Sequence, residues 1–251
     1  MKDKEDKIAV IILAAGKGTR MKSGKAKVLH EILGVPMLLY VIESARNVAG
    51  NNIIVVIGHQ SEKVREIVPE NHELIFALQE KQRGTGDAVL STLPHIPDSA
   101  EQVVILCGDV PLLTSDTIMR LVEDHVQAGR DLSLLAVDVD NPQGYGRVIF
   151  DENRIVSQII EEADATENQK EIKTINSGVY CINKDFLKYG LPRLKPDNVQ
   201  GELYLTDIVE IGYADKKIVG VLICDDAREV IGVNTRQDLA LVEAIMENRF
   251  R

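Results

Sequence analysis

The chain has 251 residues, which is long enough for one large α/β domain with a substantial buried core. Its formal net charge of −10 argues against nucleic acid or an anionic membrane surface as the main partner. No run approaches the roughly 18 apolar residues of a membrane span, and the three cysteines show no metal or redox spacing. These features favour a cytoplasmic protein, and we interpret residues 1–7 as a charged tail rather than a signal peptide.

Short apolar runs alternate with amphipathic patterns through the first half of the chain. The apolar runs predict strands over 8–15, 53–57, 74–77 and 103–107. The amphipathic patterns predict helices over 36–48, 61–68, 84–93 and 115–128. This alternation is typical of a Rossmann-like α/β fold, in which helices cover both faces of a mixed, mostly parallel sheet.

The second half of the chain has a different rhythm. After a strand over 132–139, three predicted strands follow with little helix between them, at 147–150, 155–160 and 175–182. They predict a β-rich extension over a second substrate, with a mobile loop over 166–173. A helix over 205–213, a strand over 218–223 and a helix over 235–248 complete the prediction. We therefore expect a main domain over 8–233 and a C-terminal helix over 234–251 that could serve as a linker.

A glycine-rich loop follows the first predicted strand. Its sequence is L-A-A-G-K-G-T-R-M at residues 13–21, and a basic run behind it ends at Lys27. Glycines at the carboxyl end of a strand let backbone N–H groups approach a ligand closely. Met21 replaces the third glycine of a dinucleotide fingerprint, and the spacing of Gly18 and Gly24 excludes a Walker A loop. The loop therefore predicts a phosphate cradle, and the alternative is a solvated turn with chance lysines.

A second turn, around Gln79 and Gly84-Thr85-Gly86, joins a predicted strand to a predicted helix. The amide of Gln79 can offer both a donor and an acceptor, which suits the edge of a uracil. The glycines open a helix whose first N–H groups need acceptors. The alternative interpretation is a surface turn with a helix cap.

Oxygen ligands for a metal ion follow two later strands. Asp109, in the motif G-D-V-P, ends a buried strand and faces the same crevice as the glycine loop. Asn234 follows another apolar run and could supply a neutral oxygen, although it could instead cap the last helix. Mg²⁺ prefers one or two carboxylates together with phosphate oxygens. The five histidines form no metal-binding cluster, and we interpret them as surface or loop residues.

Polar residues at later strand ends and turns could surround a sugar. They lie in the motifs G-Y-G-R at 144–147, N-S-G at 176–178 and G-E-L-Y-L-T-D at 201–207, and at Glu161. Each signal is weak alone, because Glu161 beside Glu162 could be a solvated pair and Glu202 could belong to the first turn of a helix.

Together these segments resemble the uridylyltransferase (pyrophosphorylase) domain of the bifunctional bacterial enzymes that make UDP-N-acetylglucosamine, in the sugar-phosphate nucleotidyltransferase superfamily. The resemblance runs from about residue 8 to residue 248, and the three motifs of the second half are its most specific part. It implies the nucleotide-diphospho-sugar transferase fold with a sugar-binding extension. Cys107 departs from it where some members carry tyrosine, and Ala26 departs where proline commonly precedes the lysine.

The resemblance also implies residue roles. Arg20 and Lys27 would be catalytic, and Asp109 and Asn234 would bind Mg²⁺. The implied nucleotide-binding residues are Leu13, Ala14, Ala15, Gly16, Gly18, Thr19, Gln79, Gly84 and Thr85. The implied sugar-binding residues are Gly108, Gly144, Glu161, Asn176, Glu202, Tyr204 and Thr206. Because β-helix repeats are absent from the 251 residues, we expect neither acetyl transfer nor the trimerisation that such a domain drives.

The implied reaction transfers UMP from UTP to N-acetylglucosamine-1-phosphate and releases pyrophosphate. The attacking phosphate is already an anion, so the chemistry depends on Mg²⁺, cationic side chains and positioning rather than on a general base. Two alternatives stay open at this point. One is a nucleotidyltransferase for another base or sugar phosphate, such as CTP, GTP or glucose-1-phosphate, and the other is a non-catalytic regulator that binds nucleotide sugars.

Overall fold

The computed structural model describes residues 6–69 and 73–249. Most of the charged tail predicted at 1–7 therefore lies outside the described residues, as do His72 and the last two residues of the C-terminal segment. Within the described ranges, the predicted α/β fold with a mixed, mostly parallel sheet is confirmed.

In these ranges the chain forms eleven strands, which are β1 (Ile8–Leu13), β2 (Glu31–Ile32), β3 (Val35–Pro36), β4 (Ile53–Ile57), β5 (Ile75–Leu78), β6 (Gln102–Cys107), β7 (Leu132–Asp138), β8 (Arg147–Phe150), β9 (Val156–Ile160), β10 (Thr174–Asn183) and β11 (Val219–Ile223). The main path of the central sheet has the order β11-β7-β10-β6-β1-β4-β5, while β2 and β3 form a separate hairpin. β1 pairs in parallel with β4 and β6, whereas β10 runs antiparallel between β6 and β7. The carboxyl ends of β1, β4 and β6 therefore lie side by side.

The helices of the described ranges are α1 (Met37–Ala49), α2 (Ser61–Glu66), α3 (Thr85–Leu90), α4 (Ser115–Gln127), α5 (Glu167–Lys170), α6 (Lys184–Gly190), α7 (Asp207–Ala214) and α8 (Arg236–Arg249). β1 is apolar throughout because both of its faces are covered. Val10 and Ile12 pack in one core with α1 and α4, and Ile11 packs in a second core with α3, α6 and α7. None of the described helices is long and apolar enough to cross a membrane.

The antiparallel part of the sheet includes β8 and β9, which form a hairpin attached to β10. The segment 166–173 is not simply a loop as predicted, because it contains the short helix α5. The Thr166 hydroxyl accepts a hydrogen bond from the backbone N–H of Gln169, and the Gln169 side chain binds back to Thr166. The buried guanidinium of Arg147 also donates to the Lys170 carbonyl at 3.1 Å. These local bonds are not visible in the polarity that favoured a loop.

α8 packs on the body of the protein through Val242 and Met246, which share a small core with Met21 and Met37. The helix therefore buries an apolar face against the glycine-rich loop, whose last residue is Met21.

One histidine contradicts the prediction that all five are surface or loop residues. His125 lies on α4 and is fully buried. One ring nitrogen, Nδ1, lies 2.9 Å from Ser133 Oγ, and the other, Nε2, lies 3.0 Å from Gln102 Oε1. Strands β6 and β7 supply these polar partners inside the core, and the sequence pattern of α4 contains no sign of them.

Candidate active site

Strand pairing brings the glycine-rich loop and Asp109 together. Leu13, the last residue of β1, lies opposite Cys107, the last residue of β6. The backbone N–H of Gly108 donates to the Leu13 carbonyl at 2.9 Å, so the two segments are still in contact where they leave the sheet. A Cβ on Gly108 would lie 3.0 Å from that carbonyl, which explains why glycine suits this position.

The two predicted catalytic cations and the two predicted metal ligands form one cluster. Lys27 Nζ forms an ion pair with Asp109 and donates to Asn234 Oδ1 at 3.1 Å. Arg20 Nη2 donates to the same Asn234 oxygen at 2.8 Å. The side chains of Lys27 and Asp109 are only 18% and 16% exposed, so water screens their interaction less than on an open surface. Two segments more than 200 residues apart in sequence thus meet at one charged centre.

Local structure explains how Asn234 is free to join this cluster. Its possible role as a helix cap is not realised, because the Thr235 hydroxyl accepts the N–H of Asp238 at the start of α8. The Asp238 carboxylate in turn accepts the N–H groups of Thr235 and Asn234, at 2.8 and 3.0 Å. This reciprocal capping fixes the backbone and leaves the Asn234 amide oxygen directed at Arg20 and Lys27.

A cavity of about 390 Å³ opens beside this cluster. Its lining includes ten of the predicted residues, namely Leu13, Ala14, Ala15, Gly16, Lys27, Gln79, Gly84, Thr85, Asp109 and Glu202. Gly18, Thr19 and Arg20 do not line it. Gly18 instead has a left-handed backbone (φ +66°) and packs directly on Lys27, where a Cβ would lie only 2.5 Å from the Lys27 Cβ.

Gln79 differs from its prediction in one respect. Its Nε2 donates to the Gly84 carbonyl at 3.1 Å and to the buried carboxylate of Asp87 at 2.9 Å. Because an amide nitrogen carries two hydrogens, these bonds leave only the Gln79 carbonyl oxygen for a ligand. Arg83 pairs with the other Asp87 oxygen at 2.6 Å, which holds that carboxylate in place. The side chain therefore offers an acceptor rather than both a donor and an acceptor.

The turn at Gly84 is joined to the later motif at 201–207. Gly84 has φ +110°, and a Cβ there would lie 2.5 Å from the Leu203 carbonyl. That carbonyl accepts the N–H of Gly86 at 2.8 Å, and the Thr85 hydroxyl accepts the N–H of Leu205 at 3.0 Å. This pairing explains why Glu202 lines the cavity of about 390 Å³, which is called the smaller cavity below. It also excludes Glu202 from the first turn of α7, which begins at Asp207.

Several predicted sugar-binding residues form a second polar group. The Thr206 hydroxyl donates to Glu161 at 3.1 Å, and the N–H of Asn176 donates to the Gly146 carbonyl at 2.9 Å. Gly146 packs against Glu161, since a Cβ there would lie 3.4 Å from Glu161 Oε2. Gly144 is exposed and its Cβ position is open, so Gly146 is the glycine of this turn that contacts the group. Burial raises the pKa of Glu161, although the Thr206 bond partly offsets this.

A bulge in β10 lies between Asn176 and Cys107, which lines the smaller cavity. The register of β10 against β7 shifts between Asn176 and Val179, with Gly178 at φ +79°. Asn176 Oδ1 accepts the N–H of Gly178 at 3.1 Å, and Asn176 Nδ2 donates to the buried Tyr180 hydroxyl at 2.8 Å. Cys107, which lines the smaller cavity, contacts the Gly178 carbonyl through its thiol. The second polar group and the smaller cavity are therefore connected through this bulge.

Tyr204 and Glu161 also line a larger cavity of about 800 Å³ beside α7. The Tyr204 hydroxyl donates to Gln200 at 2.7 Å, and burial raises its pKa. Burial also raises the pKa of Asp207, to about 6, with added repulsion from Glu210 and Glu161. This cavity is wide and acidic, and it lacks the cationic cluster found beside the smaller one. Among the described residues, no group of three or more acids, histidines and cysteines is arranged to hold a metal ion.

Comparison with known proteins identifies the family of the chain. Residues 9–232 match the family model described as Nucleotidyl transferase. The chain belongs to the nucleotidyl transferase family. The loop with Lys27, the Gln79 turn and Asp109 all lie within the matched range, whereas Asn234 lies just beyond it.

Individual relatives extend this similarity over nearly the whole chain. The bifunctional protein GlmU of Geotalea uraniireducens is 41% identical over 242 residues, covering 96% of this chain and 53% of that protein. GlmU of Heliobacterium modesticaldum is 42% identical over 245 residues, covering 98% and 53%. GlmU of Desulfotalea psychrophila is 39% identical over 246 residues, covering 98% and 72%. The chain thus spans about half the length of the first two of these relatives.

Sequence reasoning missed several residues of this nucleotidyl transferase site. Val28, Gln82, Ala88 and Cys107 line the smaller cavity without having been predicted there. Asp87 orients Gln79, although it was not singled out. A buried acid next to a glycine turn could have signalled Asp87, because a buried carboxylate needs donors. The contacts of Gln82 depend on long-range packing and have no local signal.

Proposed function

We propose that this chain transfers UMP from UTP to N-acetylglucosamine-1-phosphate, releasing pyrophosphate and UDP-N-acetylglucosamine. The observation that carries the proposal is the convergence of Arg20, Lys27, Asp109 and Asn234 beside a nucleotide-sized cavity at the carboxyl ends of parallel strands. The named relatives and the family support it. The reaction would take place in the cytoplasm, with small molecules rather than nucleic acid as partners.

The smaller cavity would hold UTP. Its base would meet the Gln79 carbonyl oxygen, which can accept the N3–H of uracil. Its phosphates would lie along the backbone of Ala14 to Thr19, with Arg20 contacting the leaving pyrophosphate. The sugar would lie between Glu161, Asn176 and Thr206, and we propose Gly146 rather than Gly144 as its glycine contact, because only Gly146 packs against Glu161.

Asp109 and Asn234 fit a magnesium site. Their oxygens already converge on one cationic group, the Lys27 ammonium, and a carboxylate with an amide oxygen is a suitable ligand pair for a hard cation. When bound there, Mg²⁺ would neutralise phosphate charge. Lys27 would exchange its bond with Asp109 for one with the α-phosphate.

The chain's own residues then act by positioning and charge. An anionic oxygen of the sugar phosphate attacks the α-phosphorus of UTP, a new P–O bond forms, and the bond to the pyrophosphate breaks. Lys27 would stabilise the charge that develops on the α-phosphate, as donors placed at a developing anion do. Glu161 and Thr206 would hold the sugar so that the attacking oxygen points at the α-phosphorus, opposite the bond to pyrophosphate.

Pyrophosphate release tests the proposal. We expect release with UTP, Mg²⁺ and N-acetylglucosamine-1-phosphate, and little with glucose-1-phosphate or with CTP or GTP. Lys27→Met should lower kcat about 10²-fold or more, by analogy with lost oxyanion donors. Lys188→Met, on the exposed face of α6, is the matched control and should leave kcat unchanged.

Three results would contradict parts of the proposal. Release only with another nucleotide or sugar phosphate would refute the substrate assignment while retaining the reaction class. No release with any pair would refute the reaction and favour a non-catalytic regulator. Near-normal turnover of Lys27→Met would remove Lys27 from the mechanism.

A further inference from the structure

The glycine-rich loop and the basic run behind it, here together called the loop (residues 15–27), are contacted by the turn that follows β4. Between Gly16 and Ala26 the chain forms only one short helical turn, at Thr19–Met21, so its shape depends on contacts from outside. The carbonyl of Ala15, where the loop begins, accepts the N–H of His59 at 3.2 Å and Gln82 Nε2 at 2.9 Å. The beginning of the loop is therefore fixed by two donors.

At the other end of the loop, the side chain of Gln60 binds two backbone groups. Its Nε2 donates to the Gly24 carbonyl at 2.6 Å, and its Oε1 accepts the N–H of Ala26 at 3.0 Å. One amide thus binds both backbone groups that flank Lys25, in the way a neighbouring strand would. Gly24 has open space around it, so the glycine itself imposes no position on this part of the loop.

The backbone of Gln60 is unusual for a non-glycine residue. It adopts the left-handed region, with φ 55°. It also precedes α2 at the capping position, yet its side chain makes no capping bond to that helix. This left-handed conformation is not explained by capping of α2. The two bonds of the Gln60 side chain to the loop explain it, because they require the side chain to point toward Gly24 and Ala26.

Ala26 links Gln60 to the charged cluster. It is fully buried and is the residue from which the short helical turn Lys27–Leu29 begins. The bond from the Ala26 N–H to Gln60 therefore holds the residue that directly precedes Lys27, whose ammonium contacts Asp109 and Asn234.

We propose that Gln60 is a positioning residue for Lys27. It holds Gly24 and Ala26 so that the Lys27 ammonium stays at the reacting phosphate, and it touches no substrate itself. The inference rests on the proposed function for its kinetic test, but not for its structural test.

The structural test uses trypsin, because the loop contains several lysines. In Gln60→Gly the left-handed backbone is unstrained and the amide is absent, so global stability should be kept while the loop is released. We expect cleavage after Lys22, Lys25 or Lys27 to be at least about fivefold faster than in the wild type, with sites identified by mass spectrometry and the thermal midpoint unchanged. Gln60→Asn, one methylene too short to span both groups, should behave in the same way.

The kinetic test measures pyrophosphate release with UTP and N-acetylglucosamine-1-phosphate. Gln60→Gly should lower kcat about tenfold or more, since small misplacements of a catalytic group have effects of this order. The KM for the sugar phosphate should stay unchanged. In a Lys27→Met background the same substitution should have almost no further effect on kcat, because the residue acts through Lys27.

Lys216→Gly is the matched control. Lys216 is exposed, lies just after α7 and also has a left-handed backbone, with φ 57°. It should change neither loop cleavage nor kcat. Unchanged loop cleavage in Gln60→Gly, or a full additional loss of kcat in the Lys27→Met background, would overturn the inference. A wild type without activity would instead refute the proposed function and leave the trypsin result to decide this one.

Discussion

His125 should make the stability of this protein depend on pH. Its ring is fully buried, Nε2 donates to the side-chain amide oxygen of Gln102, and Nδ1 lies 2.9 Å from the Ser133 hydroxyl. Burial, with repulsion from Arg130, lowers the pKa of His125 from 6.5 to about 4. Since the folded pKa is the lower one, the unfolded chain takes up the proton first as the pH falls.

The contribution of His125 is therefore fully present above pH 6.5 and is lost as the pH falls toward 4. For a pKa of about 4 in the folded state and 6.5 in the unfolded state, the wild type should lose about 2 kcal/mol of unfolding free energy through this group between pH 7.5 and pH 5. Carboxyl groups also titrate in this interval, so the effect must be measured as a difference between variants.

Urea unfolding at the two pH values provides that difference. We expect His125→Gln, which cannot take up the proton, to lose about 2 kcal/mol less than the wild type over the interval. His95→Gln removes an exposed histidine and should keep the wild-type dependence. Equal losses in the wild type and His125→Gln would refute the reasoning, because they would mean that the buried imidazole does not change its protonation on unfolding.

Two further substitutions test the second polar group and its support. Thr206→Val removes the hydroxyl that donates to Glu161. The loss of about 1 kcal/mol should raise the KM for N-acetylglucosamine-1-phosphate about fivefold and leave the KM for UTP unchanged. A rise in both KM values would contradict this prediction. Arg147→Met leaves Glu162 and the α5 carbonyl without their buried donor, and it should lower the unfolding free energy by about 3 kcal/mol in urea unfolding. Arg228→Met breaks an exposed pair and should have almost no effect, so equal losses in the two variants would refute the importance of burial.

Local patterns in the chain were sufficient to predict most strands of the central sheet and to single out the glycine-rich loop and Asp109. The apolar runs of β1, β4 and β6 are continuous because both faces are buried, and this signal needs only neighbouring residues. The glycine-rich loop and Asp109 each follow such a strand directly. Because the carboxyl ends of parallel strands lie at one edge of a sheet, the sequence predicts that Asp109 and the loop face the same crevice. Their direct contact depends on the pairing of β1 with β6, which are not consecutive in the chain.

Competing local roles could be resolved only by the tertiary structure. Asn234 could bind a metal or cap the last helix, and the reciprocal bonds of Thr235 and Asp238 show that it does not cap α8. Its role as a metal ligand stays a prediction. Gly146, which the sequence did not single out, packs against Glu161, whereas Gly144 of the same motif does not, and a sugar contact of Gly144 stays a prediction. The burial of His125 is another such case, because its partners come from two strands that are distant in sequence from one another.

The sequence by itself therefore determined the fold class, the glycine-rich loop after the first strand and the chemical types of the candidate site residues. The tertiary structure alone decided which side chains hold that loop and which atoms remain for a ligand. Gln60 binds Gly24 and Ala26, which lie more than 30 residues earlier in the chain. Gln79 donates its amide hydrogens to Gly84 and Asp87, so only its oxygen remains for a ligand. The physical reason is that periodicity reports burial of a residue's own element, whereas a hydrogen-bond partner is set by the packing of distant elements.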